Sequence, residues 1–204
     1  MKLVVVSAGL SVPSSTRLLG DRLAAAVAGP TAADVQVIEV RDLAVEIAHH
    51  LTSGFPGPAL EAALDAVTGA DGLIVVTPVF SASYSGLFKS FFDVLGAWDK
   101  DALAGKPVLV AATGGTARHS LVLDHALRPL FAYLRAVVVP TGVYAASEDW
   151  GAQGLPERIE RAAGELAALM TGLSGRPPGP RGPEPKADDL TVVPFEEQLA
   201  ALRT

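Results

Sequence analysis

The sequence predicts a single α/β domain, a three-layer sandwich with helices on both faces of a five-stranded parallel sheet. Three observations carry this. Short Val-, Ile- and Leu-rich runs alternate with longer segments of helical period. The runs are continuously apolar rather than alternating, which means both sheet faces are covered. The chain has 204 residues, 50% of them hydrophobic, enough for one domain with a sizeable core.

Leu3–Val6 is the first predicted strand. A helix follows from about Ser14, with Leu19, Leu23, Ala26 and Val27 on one face and Gly29-Pro30 as its stop. Val35–Val40 is the second strand, and Asp42 to Gly54 is helical or irregular. Ala59–Thr68 reads as a helix with Leu60, Leu64 and Val67 inward, and Gly72–Thr77 as the third strand. Ser85 to Leu95 is a helix with Leu87, Phe88, Phe91, Phe92 and Leu95 on one side, closed by Gly96. Pro107–Ala112 is the fourth strand, Arg118–Leu134 a long helix and Ala136–Val139 the fifth strand. Within that helix Pro129 cannot donate to the carbonyl of His125, so a kink is expected. The last core helix spans about Pro156 to Met170, with Pro156 suited to its first position. Crossovers should be right-handed.

Residues 1–172 form the predicted domain. Residues 173–187 are rich in Gly and Pro and read as an extended linker. Residues 188–204 regain Leu190, Val192, Val193, Phe195, Leu199 and Leu202, and are expected to dock on the domain or on a neighbouring subunit.

The composition excludes several functions. Without cysteine there is no thiol catalysis, disulfide or cysteine zinc site. A net charge of −6 argues against nucleic acid as a partner. Apolar runs such as 73–76 are too short for a bilayer, and the N-terminus lacks a signal-peptide stretch, so a cytoplasmic protein without a membrane partner is expected. His49 and His50 are adjacent, cannot share a helix face and read as surface or interface residues rather than a metal site.

Ligands of open parallel sheets bind beyond the carboxyl ends of the strands, and three such ends carry unusual residues. The first, residues 7–17, leads into a helix start with Ser14, Ser15, Thr16 and Arg17 in a row. Unpaired helix amides, hydroxyls and a guanidinium suit a terminal phosphate; the plainer alternative is a helix cap. Neither a dinucleotide glycine fingerprint nor a P-loop is present. The second, residues 77–86, sets Phe80 and Tyr84 among small residues, with Thr77-Pro78 expected to turn away from the sheet. It offers backbone amides and flat apolar surface to a planar ligand, or simply buries one aromatic in the core. The third, residues 112–119, holds Gly114-Gly115 between Thr113 and Thr116, allowing close backbone approach or forming a plain turn.

The run TPVFSASYSGLFKSFFDVL, residues 77–95, resembles the segment after strand three in NADPH-dependent FMN reductases. ATGGTARHSLVLDHALRPLF is similar to the family's fourth-strand loop and helix, and SAGLSVPSSTR to its phosphate loop. The resemblance covers roughly residues 1–170. It implies a flavodoxin-like fold with strand order 2-1-3-4-5 and hydride transfer from NADPH or NADH to FMN. No general base is needed, since the cofactors carry the chemistry. It further implies that Ser7, Ser14, Ser15, Thr16 and Arg17 hold the phosphate and ribityl end. Thr77, Pro78, Val79, Phe80 and Ser83 would line the ribityl chain and ring, and Thr113, Gly114, Gly115 and Thr116 would flank the polar edge. His119, beside the third loop, is a further candidate; His125 is weighed between a flavin or interface role and a surface one. Phe80 departs from the family's usual Tyr. The Pro-rich tail resembles an actinobacterial branch paired with flavin-dependent monooxygenases, and a homodimer or homotetramer is expected. An FMN-containing quinone or azo reductase, or a flavodoxin-type electron carrier, are the alternatives; the absence of T-x-T-G-x-T counts against the carrier.

Overall fold

The computed structural model describes residues 1–152 and 154–173. Among the described residues seven strands and six α-helices follow in the order β1 Lys2–Ser7, α1 Ser15–Thr31, β2 Asp34–Glu39, α2 Ala44–Ser53, α3 Pro58–Thr68, β3 Gly72–Phe80, β4 Ser83–Tyr84, α4 Gly86–Trp98, β5 Pro107–Gly114, α5 Arg128–Tyr133, β6 Val137–Val138, β7 Val143–Ala146 and α6 Leu155–Leu173. The parallel sheet runs β2-β1-β3-β5-β6, the expected order once β4, a hairpin partner of β3, is set aside.

Alternation along the strands divides the core into two layers. Leu3, Val5, Ile74, Val76, Leu109 and Ala111 pack against α1 and α6, through Leu19, Leu23, Ile159 and Leu166. Val4, Val6, Leu73, Val75, Val108 and Val110 face α2, α3, α4 and α5. On that second side Phe88, Phe92 and Phe131 form an aromatic cluster, with Phe88–Phe92 centroids 4.8 Å apart and Phe92–Phe131 4.9 Å apart at 82°.

Several boundaries differ from the sequence reading. α1 passes Pro30 and ends at Thr31, where Ala32 caps it in the left-handed region. Pro30 lies in the last turn, where losing one N–H removes only one of the final bonds. α4 passes Gly96 to Trp98, because Leu95 and Val94 anchor that turn in the core. α6 runs through Leu173, into the residues expected to begin the linker; the rest of that linker and the tail 188–204 lie outside the described residues.

The expected long helix over 118–134 is three short pieces: a 3₁₀ turn Ala117–His119, a π turn Leu123–Leu127 and α5. The distortion sits where Pro129 removes the donor to His125. The amide of Arg128 reaches instead to the carbonyl of Leu123, five residues back.

The fifth strand is interrupted. β6 pairs with the start of β5 and β7 with its end, both parallel. The intervening backbone is held from two helices. Arg128 donates to the carbonyls of Val139 and Pro140, and Glu165 accepts from the amide and hydroxyl of Thr141, both at 2.7 Å. The sequence reading, which placed the fifth strand at Ala136–Val139, found only the first half.

His49 and His50 also part company. His49 is exposed and bonds Ser53 at 3.2 Å, whereas His50 is buried beside Ile47 on the inner face of α2. The expectation that both are surface or interface residues therefore fails for His50, which is buried within the chain: its position three residues after Ile47 turns it inward. No group of potential metal ligands exists among the described residues, and none of their helices is long and apolar enough to cross a membrane.

Candidate functional site

A cleft of about 340 Å³ opens beyond the carboxyl ends of β1, β3, β5 and β7. Leu10, Ser11, Ser14, Ser15 and Thr16 line it from the first loop; Pro78, Val79 and Phe80 from the second; Thr113, Gly114 and Gly115 from the third. Ser147, just after β7, adds a fourth wall that the sequence reading missed.

The first loop ends in a capped helix. Ser14 is the N-cap of α1, its Oγ accepting from the amide of Arg17 at 3.2 Å, and the amide of Leu18 bonds its carbonyl. No described residue takes the amides of Ser15 and Thr16, so they remain open at the positive end of a 17-residue helix. Gly9 permits this fold-back: a Cβ there would overlap the Ser14 hydroxyl. Thr16 is buried, and its hydroxyl meets that of Thr113 at 2.7 Å, joining the first loop to the third.

Arg17 does not line the cleft. Its guanidinium bonds Asp21 at 2.8 Å and Glu39 at 2.6 Å, and the bond to Asp21 is the main cause of its raised pKa. Glu39, at the end of β2, also holds Arg41 at 2.7 Å, and Arg41 donates to the carbonyl of Ser11 at 2.8 Å. Two arginines and one carboxylate thus brace the loop from outside.

The second loop is a hairpin. β3 continues straight through Thr77 and Pro78, in register with Ala112 and Thr113 of β5, so the predicted turn at Thr77-Pro78 does not occur. Pro78 falls near the end of the pairing, where its missing donor costs least. The chain reverses at Ser81 and Ala82, both left-handed with φ of 50° and 64°. This conformation suits Asn-Gly better, so the turn stores strain at the rim. Thr77 is fully buried; its hydroxyl donates to the carbonyl of Pro78 at 3.0 Å and accepts from the amide of Ser85 at 3.1 Å. Ser85 in turn caps α4. Of the two aromatics, Tyr84 packs on Phe88, while Phe80 is 48% exposed at the cleft.

In the third loop Gly114 and Gly115 face the cleft, whereas Thr116 gives its carbonyl to the hydroxyl of Tyr144 at 2.7 Å. Burial raises the Tyr144 pKa. Ser7, Ser83, Thr116 and His119 join Arg17 and Thr77 as predicted residues outside the lining. Ser7 ends β1 buried, its hydroxyl without a partner among the described residues. His119 and His125 are both exposed.

This arrangement defines a class: an open parallel α/β sheet with an anion-ready helix start, an apolar wall and a Gly-Gly backbone edge around one cleft. A family model described as NADPH-dependent FMN reductase matches residues 1–151. An FMN reductase (NADPH) from Pseudomonas aeruginosa is 42% identical over 85% of this chain and 94% of its own. An NADH-dependent FMN reductase, SfnF, from Pseudomonas fluorescens is 41% identical over 87% and 95%. An oxidoreductase from Corynebacterium diphtheriae superposes with a TM-score of 0.80 at 50% identity, covering 84% of this chain and 97% of its own. An archaeal flavodoxin, 16% identical with a TM-score of 0.60, shares the fold. The chain belongs to the NADPH-dependent FMN reductase family.

Proposed function

We propose that this protein is an NAD(P)H-dependent FMN reductase that binds FMN in the cleft. The observation carrying the reading is the pair of open amides at Ser15 and Thr16, set at a helix start with Ser14 as its cap. A flavin without phosphate gives these groups nothing to bind. The rest of the cleft fits the remainder of FMN. Pro78, Val79 and Phe80 supply flat apolar surface, and the backbone at Gly114-Gly115 allows close approach.

FMN bound there would supply the hydride-accepting chemistry. The protein's own residues bind and orient. Ser14, Ser15 and Thr16 hold the phosphate end; Pro78 to Phe80 support the ring; Gly114 and Gly115 present amides to its polar edge, where negative charge is stabilised on reduction. Thr77 and Ser83 act by keeping the hairpin in shape. Ser7, Arg17, Thr116 and His119 belong to the site's surroundings, Arg17 by bracing the first loop.

NADPH or NADH is the proposed donor, with relatives named for each. The further reading is a cytoplasmic homo-oligomer that delivers reduced FMN to a flavin-dependent monooxygenase, supported by the resemblance of its tail and by exposed Leu121 and Tyr133 on the distorted helix. The test is oxidation of NADPH and of NADH by the purified protein with added FMN, riboflavin or a quinone. Turnover with FMN is expected. Turnover with quinone alone would move the reading to a quinone reductase, and none with any acceptor would overturn it.

A further inference from the structure

We propose that Tyr144 is a positioning residue for the polar edge of the flavin, acting through the Thr113–Thr116 loop. The inference rests on the FMN reading above. Tyr144 lies in β7, in register with Ala112 of β5, two residues before the Gly-Gly pair. Its ring is buried, and its hydroxyl reaches past the end of β5 to donate to the carbonyl of Thr116 at 2.7 Å. The fit depends on Gly114: a Cβ there would overlap the Tyr144 hydroxyl. At the other end of the loop Thr113 is fixed by the 2.7 Å hydroxyl pair with Thr16.

The loop is thus anchored at both ends, and Gly114 and Gly115, between the anchors, face the cleft together with Thr113. Gly114 closes β5 in register with Ala146, whereas Gly115 lies beyond the strand and has the backbone freedom of a residue without a Cβ, so on its own its amide would sample many directions. The anchors select one. Neither Tyr144 nor Thr116 lines the cleft, so the tyrosine acts through the loop rather than by touching the ligand. Burial keeps its proton in place as a donor. Gly114 therefore has a second role besides close approach to a ligand, which is to make room for the tyrosine that aims it.

The experiment compares wild type, Tyr144→Phe, Gly114→Ala and the double variant by FMN titration, by the midpoint potential of bound FMN and by the Tm of the ligand-free chain. Tyr144→Phe keeps the packing and is expected to lower Tm by no more than the loss of one net hydrogen bond, while weakening FMN roughly fivefold or more. The midpoint potential should move negative, because the reduced form carries more charge at the edge the amides serve. Gly114→Ala, which displaces the hydroxyl without removing it, should show the same two changes. Its cost should shrink severalfold when Tyr144 is already Phe, since the overlap is with the hydroxyl oxygen. Unchanged affinity and potential in Tyr144→Phe, or an equal cost of Gly114→Ala in both backgrounds, would overturn the inference. A wild type that binds no FMN would instead sink the flavin reading itself.

Discussion

The first and second strand-end segments are both rich in hydroxyl groups, yet the structure uses them in opposite ways. In residues 8–16 one hydroxyl, Ser14, caps the helix and leaves the next two amides open to the cleft. In residues 77–85 the hydroxyls of Thr77 and Ser85 are buried and satisfied within the hairpin and the start of α4. The first segment offers polar groups to a ligand, and the second is a frame that holds apolar Pro78, Val79 and Phe80 in place. Hydroxyl content alone does not mark a binding loop; what matters is whether the protein's own backbone already uses those groups.

This contrast can be broken by substitution. Gly9→Ala should have the largest effect on binding, because the new Cβ displaces Ser14 from the helix start; FMN affinity is expected to fall roughly tenfold or more in a fluorescence titration. Thr77→Val should do the reverse. It leaves the buried amide of Ser85 unsatisfied, at a cost of about 1–3 kcal/mol in stability, seen as a lower Tm by calorimetry. FMN affinity of the folded fraction should change little.

Arg17→Ala is a sharper test of the first segment. Its guanidinium is committed to Asp21 and Glu39, so FMN and riboflavin should lose affinity by similar, small factors, under about 1 kcal/mol each. A loss confined to FMN would place Arg17 on the phosphate after all.

The smallest expected effect is in pH. The pKa of Tyr144 is raised above its ordinary 10.0, first by burial. The native state therefore keeps this proton where an unfolded chain would release it. Its contribution is complete below pH 10 and is lost only as pH climbs through the raised value. Above the second ionisation of the phosphate, which lies at about 6, FMN affinity should be flat up to pH 10 on this account, as followed by titration at stepped pH.

How much of this was legible in the sequence depends on the distance each interaction spans. The five βα units, the core faces and the Ser14 cap follow from local periodicity and residue type, and the structure holds them. Pro129 announced a distortion, although its form as a π turn followed from how Arg128 found a carbonyl. The interruption of the fifth strand was hidden, because Pro140 and Gly142 end a strand by local rules while Arg128 and Glu165 hold the chain against the sheet for a second run. The pairing of Thr16 with Thr113 spans 97 residues, that of Arg17 with Glu39 spans 22, and that of Tyr144 with Thr116 spans 28. Local propensity carries no trace of these, and they decide which predicted residues face the cleft and which support it.

The central claim is that the start of α1 is a phosphate site for FMN. Titration of the wild-type protein with FMN and with riboflavin, side by side, tests it most directly. FMN should bind at least about tenfold tighter, the equivalent of roughly 1.4 kcal/mol from the open helix amides and their hydroxyls. Equal affinity for the two flavins would contradict it.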